Sequence, residues 1–91
     1  MYYMEEQYQL HLLAESRAGH DRGKIYVVVG EEEDFVYLSD GRLKTMKKCK
    51  KKNRKHVQLI AHLPEELLQL LSRADADSDL VHILRLYRSE S

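Results

Sequence analysis

Ninety-one residues with 15 Lys and Arg against 15 Asp and Glu make a chain of zero formal charge, too short to divide its buried surface between two cores. One cysteine, Cys49, excludes an internal disulfide and leaves a thiolate metal site without partners, and the five histidines fall in no ligand spacing. No apolar run approaches the roughly 18 residues that cross a bilayer, and no basic segment followed by an apolar stretch opens the chain, so the expectation is a cytoplasmic protein with no membrane partner.

Residues 1–7 are polar and aromatic and read as a loosely held terminus. Residues 8–15 read as a first strand, with Leu10, Leu12 and Ala14 on one face and His11, Leu13 and Glu15 on the other. Residues 16–22 break that alternation with Gly19 and Asp21, which suit a turn. Over residues 24–29, Ile25, Val27 and Val29 alternate with Tyr26 and Val28, so both faces are apolar. That pattern predicts a central strand covered on two sides, as in a small closed barrel.

The acidic residues 31–34 read as a solvated hairpin turn. Residues 35–39 and 42–46 read as a second hairpin around Asp40-Gly41, a dipeptide suited to a two-residue type I′ turn. A short strand over residues 57–60 is expected to close the sheet. The period then changes, because Pro64, Glu65 and Glu66 make a first helical turn before the stripe of Leu67, Leu68, Leu70 and Leu71. After a polar break, Asp77 or Ser78 is placed to cap a second helix. Its docking face would be Leu80, Ile83, Leu84 and Tyr87, with Arg85 and Arg88 favouring its C-terminus. The expected fold is mainly β with C-terminal α: a barrel over residues 8–61 and a helical extension over residues 62–91 packed on it.

Net charge says nothing about where charges lie. Arg42, Lys44, Lys47, Lys48, Lys50, Lys51, Lys52, Arg54 and Lys55 follow one another without a compensating acid. So dense a run repels itself, and a polyanion relieves that repulsion while releasing its condensed counterions. Residues 16–24 add Arg17, Arg22 and Lys24 on a Gly-containing turn whose backbone amides are also available to phosphates. A solvated connector or an acidic protein partner would account for the same run less directly. Tyr26, Phe35 and Tyr37 are expected to pack in the sheet rather than to stack on bases. Glu31, Glu32 and Glu33 are adjacent carboxylates with nothing nearby to bury them, and no nucleophile and base pair, phosphate cradle or metal constellation appears. No catalysis, cofactor or small-molecule substrate is expected.

The segments Ser16-Arg17-Ala18-Gly19-His20-Asp21-Arg22-Gly23-Lys24-Ile25-Tyr26-Val27-Val28, Ser39-Asp40-Gly41-Arg42-Leu43 and Lys50-Lys51-Lys52-Asn53-Arg54-Lys55-His56 together resemble the KOW-domain RNA-binding family. The resemblance is to small bacterial members related to eukaryotic-type large-subunit ribosomal proteins, and it covers about residues 10–60. It implies an SH3-like β-barrel whose loops meet RNA, usually ribosomal RNA, in translation and without a cofactor. Gly19, Asp21 and Gly23 match the family's turn, and Gly41 matches its hairpin turn. By the same likeness Arg17, Arg22, Lys24 and the segment from Lys50 to His56 become the expected RNA contacts. The sequence departs from the family at His11, His20 and Cys49, where Gly, Arg and Pro are usual. The competing expectation is a protein-interaction adaptor in which the leucine-bearing helices present an apolar groove.

Overall fold

The alternation of residues 25–29 produces the strand it predicts, and that strand organises the sheet around it. A computed structural model describes residues 10–90 and shows a five-stranded antiparallel sheet followed by two helices. The expected loose terminus, and Tyr8 and Gln9 of the first predicted strand, lie outside the described residues. The strands are β1 (Leu13–Ser16), β2 (Ile25–Glu31), β3 (Phe35–Ser39), β4 (Lys50–Asn53) and β5 (Val57–Ile60), in the spatial order β4-β3-β2-β1-β5. A single 3₁₀ turn, Arg54–His56, joins β4 to β5. The helices are α1 (Glu65–Arg73) and α2 (Asp77–Glu90).

Both faces of β2 are buried, as its sequence requires. Val27 and Val29 join a core with Leu13, Tyr37, Leu67, Leu71, Leu80, Ile83 and Leu84, which is where the two helices cover the sheet. Tyr26 and Val28 point the other way, into a second core with Leu12, Ala14, Val36 and Leu38. Val57 and Leu59 of β5 pack against this same core, so the sheet curls over its own face. The irregular register between Val28 and Gly30, where β2 meets β3, supplies a bend of the kind a β-bulge produces.

The expected closure of the barrel does not occur: the sheet stays open, with β4 and β5 as its two edges. The 3₁₀ turn, capped where the Lys55 amide donates to the Asn53 side chain (3.0 Å), carries the chain from one edge to the other instead of pairing them. The second strand expected over residues 42–46 is also absent. That stretch is a loop, and β3 pairs instead with β4, in the register Val36↔Lys52 and Leu38↔Lys50. Local hydrogen bonds explain the difference. The Asp40 carboxylate accepts from the amides of Arg42 (2.9 Å) and Lys44 (3.0 Å), and the Ser39 hydroxyl donates to the Lys44 carbonyl (2.6 Å). These short-range bonds occupy backbone groups that a ladder would need.

Gly41 does take a positive φ of 77°, but for a wide loop rather than a two-residue turn. A Cβ on Gly41 would collide with the Asp77 carbonyl and lie 3.0 Å from Val81 Cγ2, so this loop is seated directly on the start of α2. Gly41→Ala should therefore cost about 1–3 kcal/mol, combining an unfavourable backbone angle with a steric conflict. Urea denaturation measures it, and a wild-type midpoint in the Ala variant would contradict this account of the contact.

Neither expected cap serves α2 as predicted. Asp77 Oδ1 accepts from the Met46 amide at 2.8 Å, fastening the loop a second time. It is Asp79 that reaches back, accepting from the amides of Asp75 (3.0 Å) and Ala76 (3.1 Å) in the manner of half a capping box. Among the described residues no helix is long and apolar enough to cross a membrane.

Candidate nucleic-acid interface

The turn between β1 and β2 is rigid for reasons visible in its sequence. Gly19 (φ 87°) and Gly23 (φ 91°) take angles that other residues rarely adopt. Their freedom lets the Gly23 amide donate to the Ser16 carbonyl (2.7 Å), the Ser16 amide to the Lys24 carbonyl (2.9 Å), and the Lys24 amide to the Asp21 carbonyl (2.9 Å). This closed turn points the Asp21 side chain inward, where only 11% of it remains exposed.

Asp21 is more than a turn residue. One oxygen accepts from Lys52 Nζ (2.9 Å) and the Ser16 hydroxyl (2.8 Å), and the other from Lys50 Nζ (2.8 Å) and the Tyr26 hydroxyl (2.9 Å). Lys52 also donates to the Ala18 carbonyl at 2.7 Å. Because Lys50 and Lys52 lie opposite Leu38 and Val36, their stems cross the mouth of the inner core before reaching the carboxylate. The cluster thus ties edge strand β4 to the β1–β2 turn and clasps the curled sheet where no backbone ladder does.

Burial alone would raise the pKa of Asp21, but hydrogen bonds from Lys50, Lys52, Ser16 and Tyr26 outweigh it and hold the carboxyl far below the usual range. Burial, and then the bond to that carboxylate, pushes the Tyr26 phenol well above its ordinary value.

Two further cations are engaged by the protein's own acids. Lys24 pairs with Asp40 (3.2 Å), and Arg54 pairs with Glu31 (2.9 Å) while also donating to the Glu32 carbonyl (2.9 Å). Asp40 is itself buried. Although burial opposes ionisation, the amides of Arg42 and Lys44 and the Lys24 ammonium keep its carboxyl below the ordinary range.

Of the cations expected to meet RNA, Lys52 is enclosed and cannot reach a phosphate, whereas Lys24, Lys50 and Arg54 remain half-exposed but paired. Arg17, Arg22, Arg42, Lys44, Lys47, Lys48, Lys51, Lys55 and His56 are exposed, and no carboxylate pairs with them among the described residues. Lys51 lies on the opposite face of β4 from its neighbours, with its ammonium 4.3 Å from the centroid of the Phe35 ring. Tyr26 and Tyr37 are buried in the two cores.

Several exposed cations share one end of the sheet. Arg17 donates its amide to the His56 carbonyl (2.8 Å), so the β1–β2 turn and the 3₁₀ turn lie side by side. Arg17, Arg22, Lys55 and His56 therefore surround a rigid platform, and the Asp21 cluster anchors β4 and the end of the Lys47-Lys48 loop beside it. Such an arrangement can neutralise a row of phosphates at little conformational cost.

Lone runs of lysine gave no hint that Asp21 would take two of them. The i, i+2 spacing of Lys50 and Lys52 was the available signal, since it puts both on one face of a strand. Among the described residues no group of His, Cys, Asp or Glu is placed to hold a metal ion. Burial pushes the Cys49 thiol up, away from the reactive thiolate form. No protein-family model matches the chain, and a search of curated proteins finds no relative.

Proposed function

We propose that this protein binds structured RNA, with ribosomal RNA the leading candidate, by placing exposed Lys and Arg side chains against backbone phosphates. The observation that carries the proposal is the exposed set of Arg17, Arg22, Lys55 and His56, brought together by backbone hydrogen bonds and without an ion pair to a carboxylate among the described residues. The loop cations Lys44, Lys47 and Lys48 are exposed as well and add to the positive surface. Recognition is by backbone and shape, because the sheet tyrosines Tyr26 and Tyr37 are buried and their rings do not face unpaired bases. The proposal includes no catalysis, cofactor or small-molecule substrate, and it places the protein with the ribosome in the cytoplasm.

An SH3-like, KOW-type scaffold is part of the same reading. Three features support it: a first strand between the second and the fifth, a 3₁₀ turn between the last two strands, and a curled sheet with its own inner core. The resemblance of the Gly19 to Gly23 turn and of the basic segment to that family adds to them. The adaptor alternative has less support. Leu67, Leu71, Leu80, Ile83 and Leu84 are buried within the fold, and Leu43 is the large apolar side chain that stands out to solvent among the described residues.

Fluorescence anisotropy with a folded ribosomal RNA fragment tests the proposal. If about six phosphates are engaged, the log-log dependence of affinity on salt has a slope of roughly −4 to −5, and affinity falls about 250- to 1000-fold between roughly 50 and 200 mM salt. Binding that is absent at low salt, or indifferent to salt, removes the proposed mechanism.

A further inference from the structure

Helix α2 does more than cover the sheet. Val81, Leu84, Arg85 and Arg88 recur at the i, i+3, i+4, i+7 spacing of a single stripe, and that stripe forms one wall of a cleft of about 340 Å³. The opposite wall comes from the loop after β3, through Arg42 and Leu43, with Lys24 and Asp40 between the two walls. Four cations thus face one carboxylate. That carboxylate is already engaged by Lys24 and by two backbone amides, so it holds the loop and leaves the exposed Arg42 and Arg85 to set the charge of the opening.

The cleft is built, not incidental. Contact of Gly41 with the Asp77 carbonyl and the bond from the Met46 amide to the Asp77 side chain fix the loop against α2 at both ends of the Arg42 segment. Guanidinium groups from two separate elements thereby line one opening. Leu43 stands on the rim with 80% of its surface exposed, an apolar side chain in a position that packing does not explain.

We infer that this cleft receives one nucleotide of the bound RNA, with a phosphate on the guanidinium groups of Arg42 and Arg85 and the ribose or base against Leu43 and Val81. The inference rests on the RNA-binding reading and extends its footprint to the helical half of the molecule. Planar guanidinium forks match phosphate oxygens in pairs and also offer flat surfaces to an unstacked base. Walls that are part cationic and part apolar suit a nucleotide, which presents both characters. Lys44, Lys47 and Lys48 continue the positive path away from the cleft along the same loop, which fits a polymer with evenly spaced charges better than a short acidic peptide.

The test compares three full-length variants with wild type in binding a folded ribosomal RNA fragment. R42E/R85E should bind at least about tenfold more weakly, with a salt slope shallower by roughly 1 to 2. Leu43→Ser should bind several-fold more weakly with the slope unchanged, since an apolar contact releases no counterions. R17E/R22E/K55E reports on the main platform. If R42E/R85E keeps wild-type affinity and slope while R17E/R22E/K55E loses binding, the cleft inference is wrong and the RNA reading stands. If wild type binds no RNA, the reading beneath it fails. A polyglutamate peptide that binds in an Arg85-dependent way without competing with RNA assigns the cleft to an acidic protein segment and overturns the inference.

Discussion

Asp21→Asn is expected to lower the free energy of unfolding by about 3–5 kcal/mol, the usual effect of removing one partner from a buried ion pair. Lys52 keeps only 9% of its side chain exposed and would lose its carboxylate partner, with neutral acceptors such as the Ala18 carbonyl in its place. Lys50 would lose the same carboxylate, and because Asn has one oxygen and one NH2 in place of two oxygens, either the Ser16 or the Tyr26 hydroxyl would face a donor where it now has an acceptor. For a chain of this length total stability is about 5–13 kcal/mol, so the substitution threatens folding. Adding Lys52→Met should restore part of the loss, since it removes the stranded charge and leaves an apolar stem over the inner core. Urea denaturation measures both. A loss under about 1 kcal/mol, the worth of an exposed pair, would show that the cluster does not clasp the sheet.

The same cluster predicts a pH dependence. The folded-state pKa of Asp21 lies well below its unfolded value, so the carboxylate contributes fully above about pH 5 and its contribution is lost as pH falls through the unfolded range and beyond. Wild type should therefore weaken steeply from about pH 5 down to 2, and Asp21→Asn much less. Tyr26 works in the opposite sense. Its raised pKa adds stability that is present below about pH 10 and lost as the phenol ionises at higher pH.

The second large effect is on binding. R17E/R22E/K55E should weaken RNA association by about a hundredfold or more at low salt and flatten the salt slope by roughly 3, one for each phosphate contact removed. All three side chains are exposed, and no ion pair joins them to carboxylates among the described residues, so the urea midpoint should move by less than about 0.5 kcal/mol equivalent. Unchanged RNA affinity in a folded triple variant would be incompatible with the proposed interface. Reversing Lys50, Lys51 and Lys52 together is a poorer experiment, although the sequence makes them the obvious choice. Two of the three hold Asp21, and that variant would confuse unfolding with loss of contact.

Legibility in the sequence followed the range of the forces involved. The two-sided strand at residues 25–29, the short strand at 57–60, the acidic hairpin tip and both helices were readable because period and turn chemistry act over a few residues. Even the failures were local ones in part. Asp40-Gly41 did mark a turn with a positive φ, but Arg42-Leu43-Lys44 offered no apolar face to pair, and the Asp40 side chain captured its amides instead. The missing pairing of β4 with β5 had no such local sign.

By itself the sequence determined the two-faced strand through Val27, the two helices with their leucine stripes, and the gathering of cations between residues 42 and 55, but neither the loop over residues 42–46 nor the placing of Leu10 in the core of Leu13 rather than that of Leu12 and Ala14. Only the tertiary structure decided which of those cations face outward. Asp21 meets Lys50 and Lys52 across separations of 29 and 31 residues, and Arg42 meets the stripe of α2 only because Gly41 lets two backbones touch. A charge run is a property of the chain, but a counter-ion is a position in space. Burial and desolvation act on that position, and they turn some members of one lysine tract into clasps and leave others on the surface.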